Sequence, residues 1–283
     1  MIEFIQSLSH YAYLQNAVFA GLLASIASGI VGAFVTVRRI AYLAGAVAHC
    51  TLGGMGAVVY CNSVYGWTFL QPLHGALLAA GIGALAIGLI RHYGHQREDS
   101  LIGMIWAVGM AIGLIFLFKT PGYNQDLMSY LFGDILLVSK GALKVMLILD
   151  ALLIAIVLLY YNKFLAVCFD EEFARLQGVN VNVFGLLLLI LIALTVVLLV
   201  SVVGIVMAIT LLTLPAAAAC LTARRLWGVM FGAIVFAAFA ILGGLFLSYH
   251  YDLPTGATIV LTAAAGYGLM LGVRWRLKAG RRR

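Results

Sequence analysis

Apolar positions along this chain neither alternate nor keep to one helical face. They run in blocks long enough to cross a bilayer, which takes about 20 residues of α-helix. Such blocks predict helices near residues 12 to 37, 41 to 60, 72 to 90, 101 to 118, 142 to 160, 183 to 201, 204 to 222, 228 to 248 and 256 to 273. Between 183 and 222 the run is broken only at Ser201-Val202-Val203-Gly204, so eight crossings or nine fit the pattern. The expected fold is all-α: a polytopic membrane helix bundle of eight or nine transmembrane helices. The opening MIEFIQSLSH has no basic residue before the first run, and that run is too long for a signal-peptide core, so it reads as an uncleaved first span.

Composition narrows the solvent to lipid. With 64% apolar and 10% charged residues and a mean hydropathy of +1.11, no stretch is left for a soluble domain, and residues 1 to 283 read as one transmembrane domain. Lys and Arg are retained on the cytoplasmic side of a membrane. Fourteen of the seventeen (Arg38, Arg39, Arg91, Arg97, Lys163, Arg175, Arg224, Arg225, Arg274, Arg276, Lys278 and Arg281 to Arg283) fall on one side of the alternating pattern, leaving Lys119, Lys140 and Lys144 for the other. The N-terminus is therefore expected outside and the C-terminus in the cytoplasm. Five of the ten acids (Glu98, Asp99, Asp170, Glu171, Glu172) lie on the basic side, so the net charge of +7 is a topology signal and an attraction to anionic lipid. Nucleic acid need not be invoked.

Cys50, Cys61, Cys168 and Cys220 form no CxxC pair, which suggests neither a disulfide framework nor a zinc knuckle. Gly109 with Gly113 and Gly268 with Gly272 are small-xxx-small pairs that let helices approach closely. Residues 127 to 138, LMSYLFGDILLV, are too short to cross and read as a re-entrant or interfacial segment.

Ionisable residues inside spans are costly, so each is a functional candidate. They are few: His49, Asp150, Lys144 and, near an outer end, His74. A neutral imidazole is a common transition-metal ligand that can pass an ion on without carrying charge into the bilayer. The competing reading of His49 is a histidine bonded to a neighbouring helix. Cys50 points about 100° away around the helix, so the two do not share an ion. Asp150 has no second carboxylate or histidine on its face and reads as satisfied by neighbouring polar groups, while Lys144 snorkels outward. His250 and Asp252, one residue apart, are candidate ligands for an incoming cation in an outer loop, with His10 and His74 also outside. Loop histidines, including His92 and His95 on the cytoplasmic side, are more often simply solvated. No phosphate loop or serine nucleophile elbow is present, so the chain itself is not expected to be an enzyme.

The most informative polar segment is FDEEFARLQGVN, residues 169 to 180. Its acidic start suits a helix N-terminus, Phe173 and Leu176 recur at helical spacing, and Gly178 ends it. A helix this short is marginal in water and needs a partner, either the groove of another protein or the lipid headgroups.

In order along nearly the whole chain, FVTVRRIAYLAGAVAHCTLGG, REDSLIGMIWAVGMAIG, LMSYLFGDILLV, FDEEFARLQGVN, VVGIVMAITLLTLPAAAACL and SYHYDLPTGATIVL resemble segments of one family. It is the family of membrane permeases of ATP-binding-cassette importers for zinc, manganese or iron. The resemblance implies a permease of the bacterial cytoplasmic (inner) membrane that forms its pathway as a homodimer. Two ABC ATPase subunits would sit beneath it, and an extracytoplasmic metal-binding protein would deliver the ion. The chain would bind no cofactor of its own; the partner would use the ATP, and the transported ion would be Zn, Mn or Fe. A cytoplasmic coupling helix formed by Asp170, Glu171, Glu172, Phe173, Ala174, Arg175 and Gly178 would transmit closure of the ATPase. The family's translocation site pairs an aspartate with a histidine four residues later. His49 matches the histidine, but Gly45 stands at the aspartate, and Leu52-Gly53-Gly54 stands where the family has Leu-Pro-Gly. One strong ligand per protomer remains, and its imidazole favours zinc over manganese. The alternative is an ion-coupled secondary metal transporter without an ATPase, for which Asp150 is the one intramembrane carboxylate.

Overall fold

The computed structural model describes residues 10–67, 69–93, 98–121 and 131–280. His95, Arg97, residues 127–130 of the short apolar segment and Arg281 to Arg283 lie outside them. Helices follow the apolar runs: α1 Ala12–Val37, α2 Ala41–Tyr65, α3 Pro72–Tyr93, α4 Glu98–Lys119, α5 Lys140–Phe169, α6 Glu171–Leu176, α7 Val181–Val203, α8 Ile205–Cys220, α9 Leu226–Tyr251 and α10 Thr255–Gly280, with a 3₁₀ turn at Ile135–Leu137. Among the described residues eight helices are long and apolar enough to cross a membrane, and α8, at 16 residues, is a ninth apolar helix below that length.

Local chemistry sets the ends. Ser139 caps α5 by accepting from the Ala142 N–H, Asn180 caps α7 by accepting from the Val183 N–H, and Gly66 closes α2 in the left-handed region. The turn from α1 to α2 spans three residues, with Arg39 held at φ 58° and the Ile40 N–H bonded back to the Val35 carbonyl. This tight turn fixes how far along α2 each later residue lies. α5 bends at Tyr160, whose φ of −112° and ψ of 16° leave the helical region.

α1, α2, α7 and α8 form the inner helices. α1 packs on α9, α8 and α5; α2 packs on α4 and α3; α7 joins the two groups by touching α3, α2, α8, α5 and α1. Gly29 lies against Ile234 and Gly21 against Ile241, so α1 and α9 run antiparallel. The predicted close approach at Gly109 and Gly113 is present. A Cβ on Gly53 would stand 2.8 Å from the Gly109 carbonyl oxygen, and one on Gly56 2.7 Å from that of Gly113. The α2 and α4 backbones therefore touch, as small residues permit. The other pair behaves differently: Gly268 and Gly272 face open space. α4 is the least enclosed of the long helices, with Met104, Val108, Ile112 and Ile115 directed outward.

The long apolar run between 183 and 222 breaks at Gly204. Its φ of 81° and ψ of 168° lie in a region essentially reserved for glycine. Phe34, Phe164 and Phe184 pack together and set the start of α7 beside the end of α1. Gly204 instead meets Phe132 and Gly133, and nearby Ile135 reaches Gly21 in the first half of α1. α7 thus runs against α1, and α8 returns alongside it with Leu212 at Gly32. Gly256 closes over the Phe132 carbonyl, so backbones from three parts of the chain cross with no side chain between them. Gly204→Ala would pay roughly 1–3 kcal/mol in backbone strain, before its Cβ displaces the 132–133 backbone. That chain is expected to lose its thermal transition in detergent or to melt well below the parent, as read by fluorescence-detected size exclusion.

Candidate functional site

His49 lies on α2 a little over two turns from its start, half-buried, with Nδ1 buried and without a hydrogen-bond partner among the described residues. Its ring stacks on the indole of Trp106 from α4, with centroids 4.7 Å apart and planes inclined by 18°. One turn earlier, Gly45 faces the same indole: a Cβ there would be 3.3 Å from Cζ3 and 3.5 Å from Cη2 of Trp106. Cys50 turns away, as expected, and its thiol points to the Ile105 carbonyl at 3.5 Å. Among the described residues no three His, Cys, Asp or Glu side chains gather closely enough to hold a metal ion. The arrangement can lend one imidazole to a passing ion.

Asp150 on α5 is 3% exposed, and its Oδ2 has no hydrogen-bond partner among the described residues. Thr195 of α7, whose Oγ1 is equally unpartnered among the described residues, lines with it a cavity of about 20 Å³ walled by Ala27, Leu153 and Leu198. The neighbouring polar groups expected to satisfy it leave Oδ2 without a hydrogen bond among the described residues, where three apolar helices meet. Lys144 is exposed on the same helix.

The candidates expected in outer loops separate. His74 is a structural cap whose Nδ1 accepts the Gln71 N–H at 3.0 Å ahead of α3. His250 stacks on Phe246 and meets the Tyr251 ring edge-on. Asp252 ends α9 in the left-handed region and lines a cleft of about 490 Å³ with Tyr13, Asp134 and Thr255, a cleft that His250 does not line.

On the other face, Asp170 caps α6 by accepting the Phe173 N–H at 3.0 Å, Glu171 and Glu172 occupy its first turn, and Arg175 its last. Gly178, at φ 77°, ends it, and the Val179 N–H bonds back to the Ala174 carbonyl. Ala174 is the face turned inward, fully buried, whereas Phe173 and Leu176 point outward, Leu176 at 86% exposure. The short helix thus spends its large apolar side chains on the outside. Glu171 pairs with Arg38, at the end of α1, beside a crevice of about 380 Å³ between α3 and α7. Sequence reasoning missed two residues here. Arg38 enters the sequence reading as a topology marker and within the Arg-Arg segment, not as a partner of Glu171, and Trp106 lies in an apolar run with no polar signal of its own.

Residues 10–272 match the family described as ABC 3 transport family. A protein of Chlamydia pneumoniae named "Probable metal transport system membrane protein" is 38% identical over 257 residues, covering 91% of this chain and 87% of the relative. The manganese transport system membrane protein MntC of Halalkalibacterium halodurans is 32% identical over 266 residues, covering 94% and 89%. Among solved structures, a chain of PsaBC from Streptococcus pneumoniae in complex with Fab superposes with a TM-score of 0.84 at 30% identity, covering 95% of each chain.

Proposed function

The chain belongs to the ABC 3 transport family, and from that premise we propose that it is the membrane permease of an ATP-driven importer of a divalent transition metal ion. The observation that carries the reading is His49: an imidazole inside a span, with a buried ring nitrogen that bonds nothing among the described residues. A weak single-ligand site suits transport, since an ion must leave as readily as it arrives. With Gly45 in place of any oxygen ligand on the same face, the imidazole favours zinc. The likeness to MntC supports manganese as the second reading, and iron follows.

A single copy presents His49 and Trp106 beside the open face of α4. A homodimer apposed there encloses a pathway, with the outer cleft at Asp252 meeting an extracytoplasmic metal-binding protein. The basic face then lies in the cytoplasm, with the N-terminus outside. α6 is the coupling helix: Phe173 and Leu176 insert into a groove of the ABC ATPase, Asp170, Glu171, Glu172 and Arg175 frame them, and Gly178 sets the exit. Glu171 carries the motion through Arg38 to the turn that begins α2. Residues 131–138 form the inner end of a re-entrant segment.

The test is the energy source. Uptake of zinc by cells carrying the complete system is expected to stop when the partner ATPase is made hydrolysis-deficient and to persist when a protonophore collapses the proton gradient. An ion-coupled secondary transporter gives the reverse. Elemental analysis of cells lacking and regaining the chain identifies the metal.

A further inference from the structure

A ligand histidine is usually held in place by a hydrogen bond from its second ring nitrogen, which fixes the orientation of the ring. His49 has no such partner at Nδ1 among the described residues. What lies against it is the indole of Trp106, nearly parallel at 4.7 Å. The same indole covers position 45, one turn earlier on the same helix face, where a second ligand would share an ion with the histidine. It fits there because Gly45 has no side chain, since even a Cβ would come to 3.3 Å from the ring. Two helices thus converge on one arrangement: α2 supplies an imidazole and an empty position, and α4 fills that position with an aromatic plane.

We propose that Trp106 is the positioning and specificity-determining residue of the His49 site, its indole fixing the imidazole plane and occupying the place of a second, oxygen-bearing ligand at position 45. The proposal rests on the reading of His49 as the transient ligand. An incoming ion then meets a neutral nitrogen donor beside an apolar wall. Carboxylate oxygens suit manganese and imidazole suits zinc, so the indole biases passage toward zinc by denying the harder ligand its position. A carboxylate cannot simply be added at position 45, because the indole must give way first.

The experiment measures zinc and manganese uptake in competition, in proteoliposomes holding the complete permease–ATPase complex, and reads the ratio of the two. Trp106→Ala is expected to move the ratio toward manganese and lower total uptake, and Trp106→Phe, which keeps an aromatic plane, to restore both. Gly45→Asp alone is expected to depress uptake of both metals. The double variant Gly45→Asp with Trp106→Ala regains uptake with the ratio shifted toward manganese by about tenfold. Unchanged ratios throughout, or a shift in Gly45→Asp as large as in the double variant, overturn the proposal. His49→Ala is run in parallel. Uptake lost there, with ratios unmoved by the Trp106 variants, removes this inference alone, while uptake retained there removes the His49 reading as well. Should Trp106→Ala not accumulate in the membrane, Trp106→Phe against Trp106→Leu puts the same question: Phe must hold the ratio and Leu must shift it.

Discussion

His49→Ala is expected to insert, assemble with its ATPase and move no metal, with uptake falling by at least about tenfold toward that of cells lacking the chain. The two halves of this result have separate physical causes. Loss of uptake follows because the imidazole is the proposed ligand and no cluster of three or more His, Cys, Asp or Glu among the described residues offers the ion another site. Intact assembly follows because no group among the described residues depends on Nδ1, so truncation orphans no partner there. It removes an aromatic stack, a contact worth about 0.5–1.5 kcal/mol beyond its burial. Radiometal uptake and ATPase activity measured on the same proteoliposomes separate transport from folding. Uptake at the parent rate sinks the site assignment whatever the metal.

Charge reversal at α6, the proposed coupling helix, by Glu171→Lys with Glu172→Lys is the second large effect expected. ATP hydrolysis continues while metal transport per ATP falls by about tenfold or more. The reasons lie in two places on α6. Lysine at 171 turns the ion pair with Arg38 into a repulsion at a largely buried guanidinium, and breaking such a pair costs far more than an exposed one contributes. Lysines in the first turn also oppose the positive end of the helix, which the two glutamates complement. The helix then presents Phe173 and Leu176 at an altered angle, or not at all. Glu171→Gln retains the size and a hydrogen-bonding oxygen and is expected to show a smaller loss. Transport and hydrolysis that stay in proportion in the double reversal refute the role of α6.

The spans were legible because lipid demands continuous apolar length, and nothing else in a chain produces such runs. The break at Gly204 was legible as a turn, although the reason that glycine stands there was not. That reason is the backbone of residues 132–133, far away in sequence, which approaches too closely for any side chain. α6 could be read almost to the residue, since its cap, acidic first turn and closing glycine are local signals. Trp106 could not, because one aromatic among apolar neighbours looks the same whether it faces lipid or a histidine. Its role depends on α2 and α4 touching backbone to backbone through Gly53, Gly56, Gly109 and Gly113. The glycines were visible as permission for an approach, but not which helix would accept it: Gly268 and Gly272 carry the same spacing and meet nothing among the described residues. The pairing of Arg38 with Glu171 spans 133 residues, a separation over which charge alone selects no partner.

The crossing of Gly133, Gly204 and Gly256 also bears on how the protein is made. At a synthesis rate on the order of 5–20 residues per second, roughly 6–25 s pass between the ribosome's adding the first of these glycines and the last. The hairpin of α7 and α8 can close on residues 132–133 midway through that interval, but the Phe132 carbonyl gains its cover only when the start of α10 arrives. The nascent chain therefore carries an unfinished junction until its final helix enters the membrane. A chain cut short before Gly256 is left with that junction open, which gives quality-control proteases a reason to remove it even though most of its spans are already in lipid.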